Sequence, residues 1–194
     1  AEHLPIETLR ADVSRDTGVQ AVVARVAALP DGLTGFVHCA ATGVHKPAAE
    51  LGAREMQWVF ALNFGSLVAL VPPLLPSLRA GGSILVVSSA GATRAVPQYA
   101  MVGASKGAAE SYARHLAIEL APRGIRVNIL CPGSVLTDTW KALPDAEARL
   151  AATVSRTPTG RLVTAEEVPD PQALELWLDV NGQPRQRGRT ATMV

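Results

Sequence analysis

Short apolar runs alternate with longer segments of helical periodicity along this 194-residue chain. The apolar runs predict strands at 8–13, 35–41, 82–89 and 125–131. Apolar spacings of three and four residues predict helices at 16–29, with Asp16 as N-cap, and at 52–70 and 98–120. This alternation is typical of βαβ units, in which parallel strands form a sheet covered by helices. The chain is therefore predicted to form a doubly wound α/β fold.

The composition indicates a globular protein and disfavours nucleic acid and membranes as partners. Hydrophobic residues make up 48% of the chain and charged residues 18%, which is enough for a sizeable core. The net charge of +1 gives no reason to expect nucleic acid or a membrane surface as a partner. The longest apolar stretch, 59–75, contains Asn63, Pro72 and Pro73, which argues against a membrane span. We expect a soluble protein.

The spacing of the cysteines and the position of His38 do not indicate a metal or ligand site. Cys39 and Cys131 match no metal-ligand spacing, and nothing at the N-terminus has the pattern of a signal segment. We therefore expect a reduced, cytoplasmic protein without a metal site. His38 and Cys39 fall on the strand 35–41, which is apolar enough to be buried on both faces, so both are predicted to be core residues rather than ligands.

Small and hydroxylic residues follow the predicted strands. Ligands of doubly wound sheets bind outside the carboxyl ends of the strands, where Asp12, residues 40–43, Ser88, Ser89 and residues 132–137 fall. Small side chains there let a flat ligand approach the main chain. This edge of the sheet is the predicted binding site.

A tyrosine and a lysine lie close to this edge in the sequence. Tyr99 and Lys106 are seven residues apart, about two turns of a regular helix, so they are predicted to share a helix face. Ser89 ends the preceding strand. A phenol beside an ammonium is a plausible proton donor, because the positive charge favours the phenolate. A buried tyrosine with a solvated lysine is the alternative interpretation.

Motifs in residues 82–139 resemble the core of the short-chain dehydrogenase/reductase family. They are the paired serines after a strand, the lysine in an Ala-Ser-Lys helix, the Arg-Val-Asn strand, and the Pro-Gly turn followed by Thr137. The resemblance continues upstream to Asn63, to Ala40-Ala41 in place of the family's Asn-Asn-Ala-Gly turn, and to Asp12-Val13. It covers about residues 8–168.

The resemblance implies a Rossmann-like sheet, a nicotinamide cofactor and a set of site residues. NADPH or NADH is the implied cofactor, and a homotetramer formed through the helices at Gly52 and Gln98 is the implied assembly. The implied catalytic residues are Ser89, Tyr99 and Lys106. The implied cofactor-binding residues are Asp12, Val13, Ala40, Ala41, Asn63, Lys106, Pro132, Gly133, Val135 and Thr137.

One departure from the family pattern indicates a branch. The usual tyrosine, four residues before the lysine, is replaced by Val102, whereas Tyr99 gives a Tyr-x6-Lys spacing. This spacing resembles the enoyl-acyl-carrier-protein reductases, and the neighbouring sequence is most similar to their NADPH-dependent branch. The implied substrate is an enoyl thioester of fatty-acid or polyketide type, with an acyl carrier protein as an implied carrier. A carbonyl reductase of the same family and a catalytically silent fragment remain alternatives.

Both ends of the chain depart from the family. The Gly-rich phosphate-binding turn expected upstream of Thr8 is not in the sequence, so the sheet is expected to be N-terminally incomplete and NAD(P)H binding weak. Residues 1–167 are interpreted as the incomplete core and residues 168–194 as an appended segment. Alternating apolar residues from Leu174 to Val180, followed by Asn181-Gly182, predict a β-hairpin there. This segment resembles part of the fumarylacetoacetate-hydrolase family.

Overall fold

The structure is a computed structural model, which describes residues 6–132, 134–135 and 145–162 and the backbone of 175–180 and 183–189. The chain divides into two compact units, Ala1–Cys131 and Pro132–Val194. The predicted junction between residues 167 and 168 lies outside the described residues and stays a prediction.

A three-stranded parallel sheet forms the centre of the first unit. Its strands are β1 (Leu33–His38), β2 (Leu78–Val87) and β3 (Arg126–Leu130), in the order β1-β2-β3. His38 is paired with Val86, and Val87 with Leu130, so the three strands end at one edge. The predicted parallel α/β architecture is confirmed for these strands. The segments after them, which carry most of the predicted site, all start from this edge.

One helix precedes the sheet and three lie between its strands. They are α1 (Asp16–Ala27), α2 (Ala53–Phe60), α3 (Ser66–Leu74) and α4 (Ala100–Leu120). A π-helical turn, Ala61–Gly65, joins α2 to α3. Buried residues of α3, β2 and α4 form the core cluster, which includes Leu67, Val71, Ile84, Val86, Ala109 and Ala113. The side chains of the two buried alanines of α4 are small, so this helix can pack closely against its neighbours.

The second unit contains α5 (Ala146–Arg156) and an antiparallel pair, β4 (Glu175–Val180) and β5 (Gln183–Arg189). Val180 is paired with Gln183, the register that a two-residue connection requires. The backbone pairing agrees with the predicted hairpin. Asn181 and Gly182, the predicted turn, lie outside the described residues.

The predicted strand 8–13 is wrong. Residues 6–12 have no strand pairing in the described chain, and a turn follows, in which the Arg15 amide donates to the Asp12 carbonyl at 3.1 Å. A strand needs a neighbour to accept its backbone hydrogen bonds, and none of the three described parallel strands lies beside this segment. Asp16 is the first residue of α1, and Arg15 is the N-cap, which makes no side-chain capping bond.

The predicted burial of residues 35–41 on both faces is also wrong. His38 is buried as expected, but Val37 is 60% exposed and Cys39 is exposed. Adjacent side chains of a strand point to opposite faces, and the described residues cover only one face at this end of β1. The continuous apolar run predicted that helices cover both faces of this strand. Among the described residues, no helix covers the face on which Val37 and Cys39 lie.

Two predicted helices have different boundaries in the structure. The predicted helix 52–70 is divided by the π-helical turn, and Pro72 and Pro73 lie inside the last turn of α3 rather than beyond it. The predicted helix 98–120 begins at Ala100, because Gln98 has a left-handed backbone (φ 59°) that no right-handed helix contains. Tyr99 is therefore the N-cap of α4 and not part of its regular turns.

The segment Ala53–Leu74 is long and apolar enough to cross a membrane by length and composition. The core helix of a globular protein meets the same criteria. Leu67 and Val71 of this segment belong to the core cluster beside the sheet, which is the arrangement of a core helix.

Candidate active site

The Tyr99 phenol and the Ser89 hydroxyl form a pair at the carboxyl edge of the sheet. Tyr99 Oη donates to Ser89 Oγ at 3.2 Å. Ser89 lies two residues after β2 and is the N-cap of a short 3-10 turn, Ala90–Ala92, where its Oγ also accepts from the Gly91 amide. Tyr99 meets this serine from the N-cap of α4, with a backbone (φ −122°, ψ 9°) that is not helical. Tyr99 therefore lies outside the regular turns on which its predicted alignment with Lys106 depends, although it does reach Ser89.

Lys106 is buried, and its ammonium lies at the end of β2. Only 5% of the residue is exposed, and its Nζ donates to the Val87 carbonyl, at the end of β2, at 2.8 Å. Burial lowers the pKa of the Lys106 ammonium because the charged form loses hydration, while the nearby Cys39 thiolate form would raise it. The alternative of a solvated lysine does not hold in this structure. The other two Nζ donors have no hydrogen-bond partner among the described residues.

Asn63 fixes the loop that follows β1. It lies in the π-helical turn, fully buried, where Oδ1 accepts from the Thr42 amide at 2.7 Å and Nδ2 donates to the Thr42 carbonyl at 2.9 Å. Nδ2 also donates to Ser105 Oγ at 2.9 Å. The amide thus binds the chain just after Ala40 and Ala41 to helix α4. Contact of Asn63 with a cofactor stays a prediction.

A buried histidine lies at the end of β1. His38 Nε2 is 2.8 Å from Ser66 Oγ, and Ser66 donates its proton to the Leu62 carbonyl, so His38 donates through Nε2. Burial, and to a smaller extent the Lys106 charge, lowers the pKa of His38 from 6.5 to about 4. His38 is therefore neutral near pH 7 and adds no positive charge beside Lys106.

A cleft of about 560 Å³ opens over the tyrosine. Residues 94–100 form most of its wall, with Ala48, Gly91 and Gly103. The imidazole of His45, on the loop after β1, packs against the Tyr99 ring with the ring centroids 5.7 Å apart. Arg94 is the one charged residue among the described residues that line the cleft. A substrate in this cleft would meet a phenol on a largely apolar wall.

The remaining predicted site residues are distributed between the two units. Asp12 is exposed, and hydrogen bonds from Ser14 lower the pKa of its carboxyl. Val13 is partly buried beside it. Pro132 and Val135 belong to the second unit. Gly133 and Thr137 lie outside the described residues, so the cofactor roles of these four stay predictions.

Sequence reasoning missed three features of the site. The His38–Ser66 pair joins residues 28 apart, so no local pattern could have indicated it. The π-helical turn that turns Asn63 toward Thr42 has no periodicity of its own over five residues. The sequence shows Gly91 and Gly103 as small residues near a tyrosine but does not indicate that they pack against each other.

Among the described residues, no group of three His, Cys, Asp or Glu could hold a metal ion.

Comparison with known proteins identifies the family. A family model described as "Enoyl-(Acyl carrier protein) reductase" matches residues 1–174. This chain belongs to the short-chain dehydrogenase/reductase family and has its Rossmann-like parallel fold. The matched range ends at residue 174, and the resemblance of residues 168–194 to the fumarylacetoacetate-hydrolase family stays a prediction.

Three similar proteins illustrate the range of the family. The chain is 33% identical over 164 residues to 1-cyclohexenylcarbonyl-CoA reductase of Streptomyces collinus, covering 84% of this chain and 59% of that protein. It is 29% identical to the enoyl-[acyl-carrier-protein] reductase [NADH] FabI of Escherichia coli, covering 82% and 63%. A solved structure of a putative NAD(P)-dependent gluconate 5-dehydrogenase from Beutenbergia cavernae, with bound NADP at low occupancy, is 30% identical with a TM-score of 0.74, covering 81% and 64%. The chain thus spans about six tenths of the length of these relatives.

Proposed function

We propose that this chain is the catalytic part of an NAD(P)H-dependent reductase of enoyl thioesters. The hydrogen bond between Tyr99 and Ser89 carries this proposal, because it presents a phenol to the cleft from the Tyr-x6-Lys position. The residue at the family's usual tyrosine position, Val102, is buried and has no proton to give.

The residues around Lys106 fit the nicotinamide end of the coenzyme. A buried ammonium with two donors that have no described partner can bind the hydroxyls of a ribose, and the small residues Ala40 and Ala41 leave the main chain accessible after β1. Lys106 would hold the ribose, while Asn63 keeps the Ala40–Ala41 segment in place through Thr42. The coenzyme supplies the hydride when bound.

The protein side of the reaction follows from the Tyr99–Ser89 pair. Negative charge develops on the thioester oxygen as the β-carbon is reduced, and the Tyr99 phenol donates a hydrogen bond or its proton to that oxygen. Ser89 orients the phenol. The positive charge of Lys106 favours negative charge on the substrate oxygen. The apolar wall of the cleft strengthens these interactions by excluding water.

Two further observations support a thioester as substrate. The relative from Streptomyces collinus is named for 1-cyclohexenylcarbonyl-CoA, a thioester with a ring double bond beside its carbonyl. Arg94 adds a positive charge to the cleft, and no ion pair holds it among the described residues. A cation there would attract the phosphates of coenzyme A or of a carrier-bound substrate.

A carbonyl reductase is the second candidate. The Tyr99–Ser89 pair could equally protonate a ketone oxygen, and the similar structure from Beutenbergia cavernae is described as a putative gluconate 5-dehydrogenase. The two candidates differ in the atom that receives the hydride, the β-carbon of an enoyl thioester or a carbonyl carbon.

Two thioesters distinguish the candidates. The protein translated from the complete open reading frame is supplied with NADPH or NADH, and oxidation of the coenzyme is followed with crotonyl-CoA and with acetoacetyl-CoA. The proposal expects crotonyl-CoA to be reduced with the higher kcat/KM. Faster reduction of acetoacetyl-CoA would favour the carbonyl reductase, and oxidation with neither substrate would contradict both.

We also propose that the protein is a cytoplasmic homo-oligomer that contacts its partner copy through α2 and α4. Trp58 of α2 is 54% exposed and Ile118 of α4 is 76% exposed, and large apolar side chains in water favour association. Sedimentation of wild type and Ile118→Glu tests this proposal. A monomeric wild type would contradict it.

A further inference from the structure

The Tyr99 ring lies directly against a glycine. A Cβ added to Gly91 would stand 2.5 Å from Cδ1 and 2.6 Å from Cε1 of Tyr99, closer than non-bonded carbons approach. The ring therefore occupies the volume that any side chain at position 91 would need. Gly91 also lies two residues after Ser89 and donates its amide to the Ser89 hydroxyl.

Gly91 packs against a second glycine, Gly103 of α4. A Cβ added to Gly103 would stand 2.4 Å from the Gly91 carbonyl oxygen, so the short turn Ala90–Ala92 rests on the bare backbone of α4 at this point. Gly103 in turn donates its amide to the Tyr99 carbonyl at 2.8 Å. The two glycines, the tyrosine and the serine thus form one packed unit across the cleft wall.

We propose that Gly91 is a positioning residue for the Tyr99 phenol, and that its missing side chain is what brings Oη to Ser89. This inference rests on the proposed function, because it assigns a role to the same phenol. A side chain at 91 would move the ring, which can swing about its own bonds, rather than the backbone of the turn. A side chain at 103 would meet a backbone oxygen that cannot swing away, so it would separate the turn from α4.

The chain offers a matched control on the same helix. Gly107 lies one turn after Gly103, and a Cβ there would stand 3.4 Å from the Ala92 carbonyl oxygen, an ordinary van der Waals contact. Gly107→Ala therefore adds a methyl group between α4 and the turn Ala90–Ala92 without touching Tyr99. Its effect measures what an added methyl does to the packing of the turn on the helix.

Carbon NMR of the two tyrosines tests the proposal without requiring activity. The 194-residue chain is labelled with 13C at tyrosine Cζ, whose resonance responds to hydrogen bonding of the phenol, and Tyr112→Phe assigns the two signals. Ser89→Ala gives the shift that loss of the hydrogen bond produces. We expect Gly91→Ala to move the Tyr99 signal in the same direction by at least half as much, and Gly107→Ala to leave it unchanged.

Thermal unfolding keeps the proposal testable if Gly91→Ala does not fold. In a Tyr99→Ala background the ring is absent, so Gly91→Ala should no longer lower the melting temperature. A Tyr99 signal at its wild-type position in Gly91→Ala would overturn the proposal, and so would an equal loss of melting temperature with and without the ring. Neither result depends on whether the protein reduces enoyl thioesters, so a failure of the proposed function is distinguishable.

Discussion

Tyr99 and Lys106 have separate places in the site, and this predicts separate effects of their substitution. Tyr99 lines the cleft, whereas Lys106 is buried at the end of β2. Tyr99→Phe removes the proton donor, and we expect kcat for crotonyl-CoA to fall by about 100-fold or more with coenzyme affinity nearly unchanged. Lys106→Ala should also weaken coenzyme binding.

Steady-state kinetics and fluorescence titration of NADPH on the complete protein measure these effects. Tyr112→Phe is the control, because the chain's other tyrosine packs against Phe64 and does not line the cleft. Full turnover in Tyr99→Phe would remove the main support for the enoyl reductase.

His38 predicts a pH dependence of stability. Its pKa is about 4 in the folded chain, against 6.5 for an ordinary histidine side chain, so the unfolded chain binds more protons between these two values. The stability contributed by neutral His38 is complete above pH 6.5 and is lost as the pH falls toward 4. The full difference is at most about 3.5 kcal/mol, from ~1.4 kcal/mol per pKa unit.

Urea unfolding of the chain at pH 7.5 and 4.5 checks this contribution. His38→Gln should lose less stability on acidification than wild type, whereas His115→Gln, an exposed histidine of α4, should behave as wild type does. Parallel losses in wild type and His38→Gln would show that His38 does not titrate in this window.

Among the secondary-structure elements, the π-helical turn Ala61–Gly65 joins α2 to α3, and its Asn63 binds the loop after β1 to α4. Asn63→Ala would leave the Thr42 amide and carbonyl and the Ser105 hydroxyl without this partner. We expect a loss of about 3 kcal/mol in the free energy of unfolding, because each buried polar group left unpaired costs roughly 1–3 kcal/mol.

Chemical unfolding followed by circular dichroism provides the measurement. Asn128→Ala, at an exposed position of β3, is the matched control and should cost less than about 0.5 kcal/mol. Equal losses for the two variants would mean that the π-helical turn does not depend on the Asn63 amide.

At the scale of the whole molecule, the main question is coenzyme binding by the 194-residue chain. Lys106 can hold a ribose, but the sequence contains no Gly-rich turn of the kind whose backbone amides bind a pyrophosphate. We therefore expect calorimetry to give a Kd for NADPH weaker than about 100 μM for this chain, corresponding to less than about 5.5 kcal/mol of binding free energy.

A titration with nicotinamide mononucleotide, which lacks the adenylate half, is the matched comparison. NADPH and nicotinamide mononucleotide should have similar, weak Kd values if the chain binds only the nicotinamide end of the coenzyme. Micromolar binding of NADPH by this chain would contradict the prediction and would require another segment to hold the pyrophosphate.

Sequence patterns alone were enough to predict the parallel α/β architecture and the position of Ser89 at the carboxyl edge of the sheet. Both predictions follow from local patterns, because apolar runs specify buried strands and the residues after parallel strands meet at one edge. The catalytic roles of Ser89, Tyr99 and Lys106 stay predictions. The hairpin of β4 and β5 was predictable for the same reason, since its pairing is between neighbouring segments.

Which of these patterns became paired strands and covered faces depends on contacts between distant segments. Residues 8–13 had a strand pattern but no described neighbour to pair with, and Cys39 had a core pattern but is exposed among the residues that the structure describes. The Tyr99 ring packs against Gly91, and the residue before it, Gln98, has a left-handed backbone; neither feature has a sequence pattern of its own. Hydrogen-bond partners and packed volumes come from residues far apart in the chain, so they are properties of the folded molecule and not of any window of sequence.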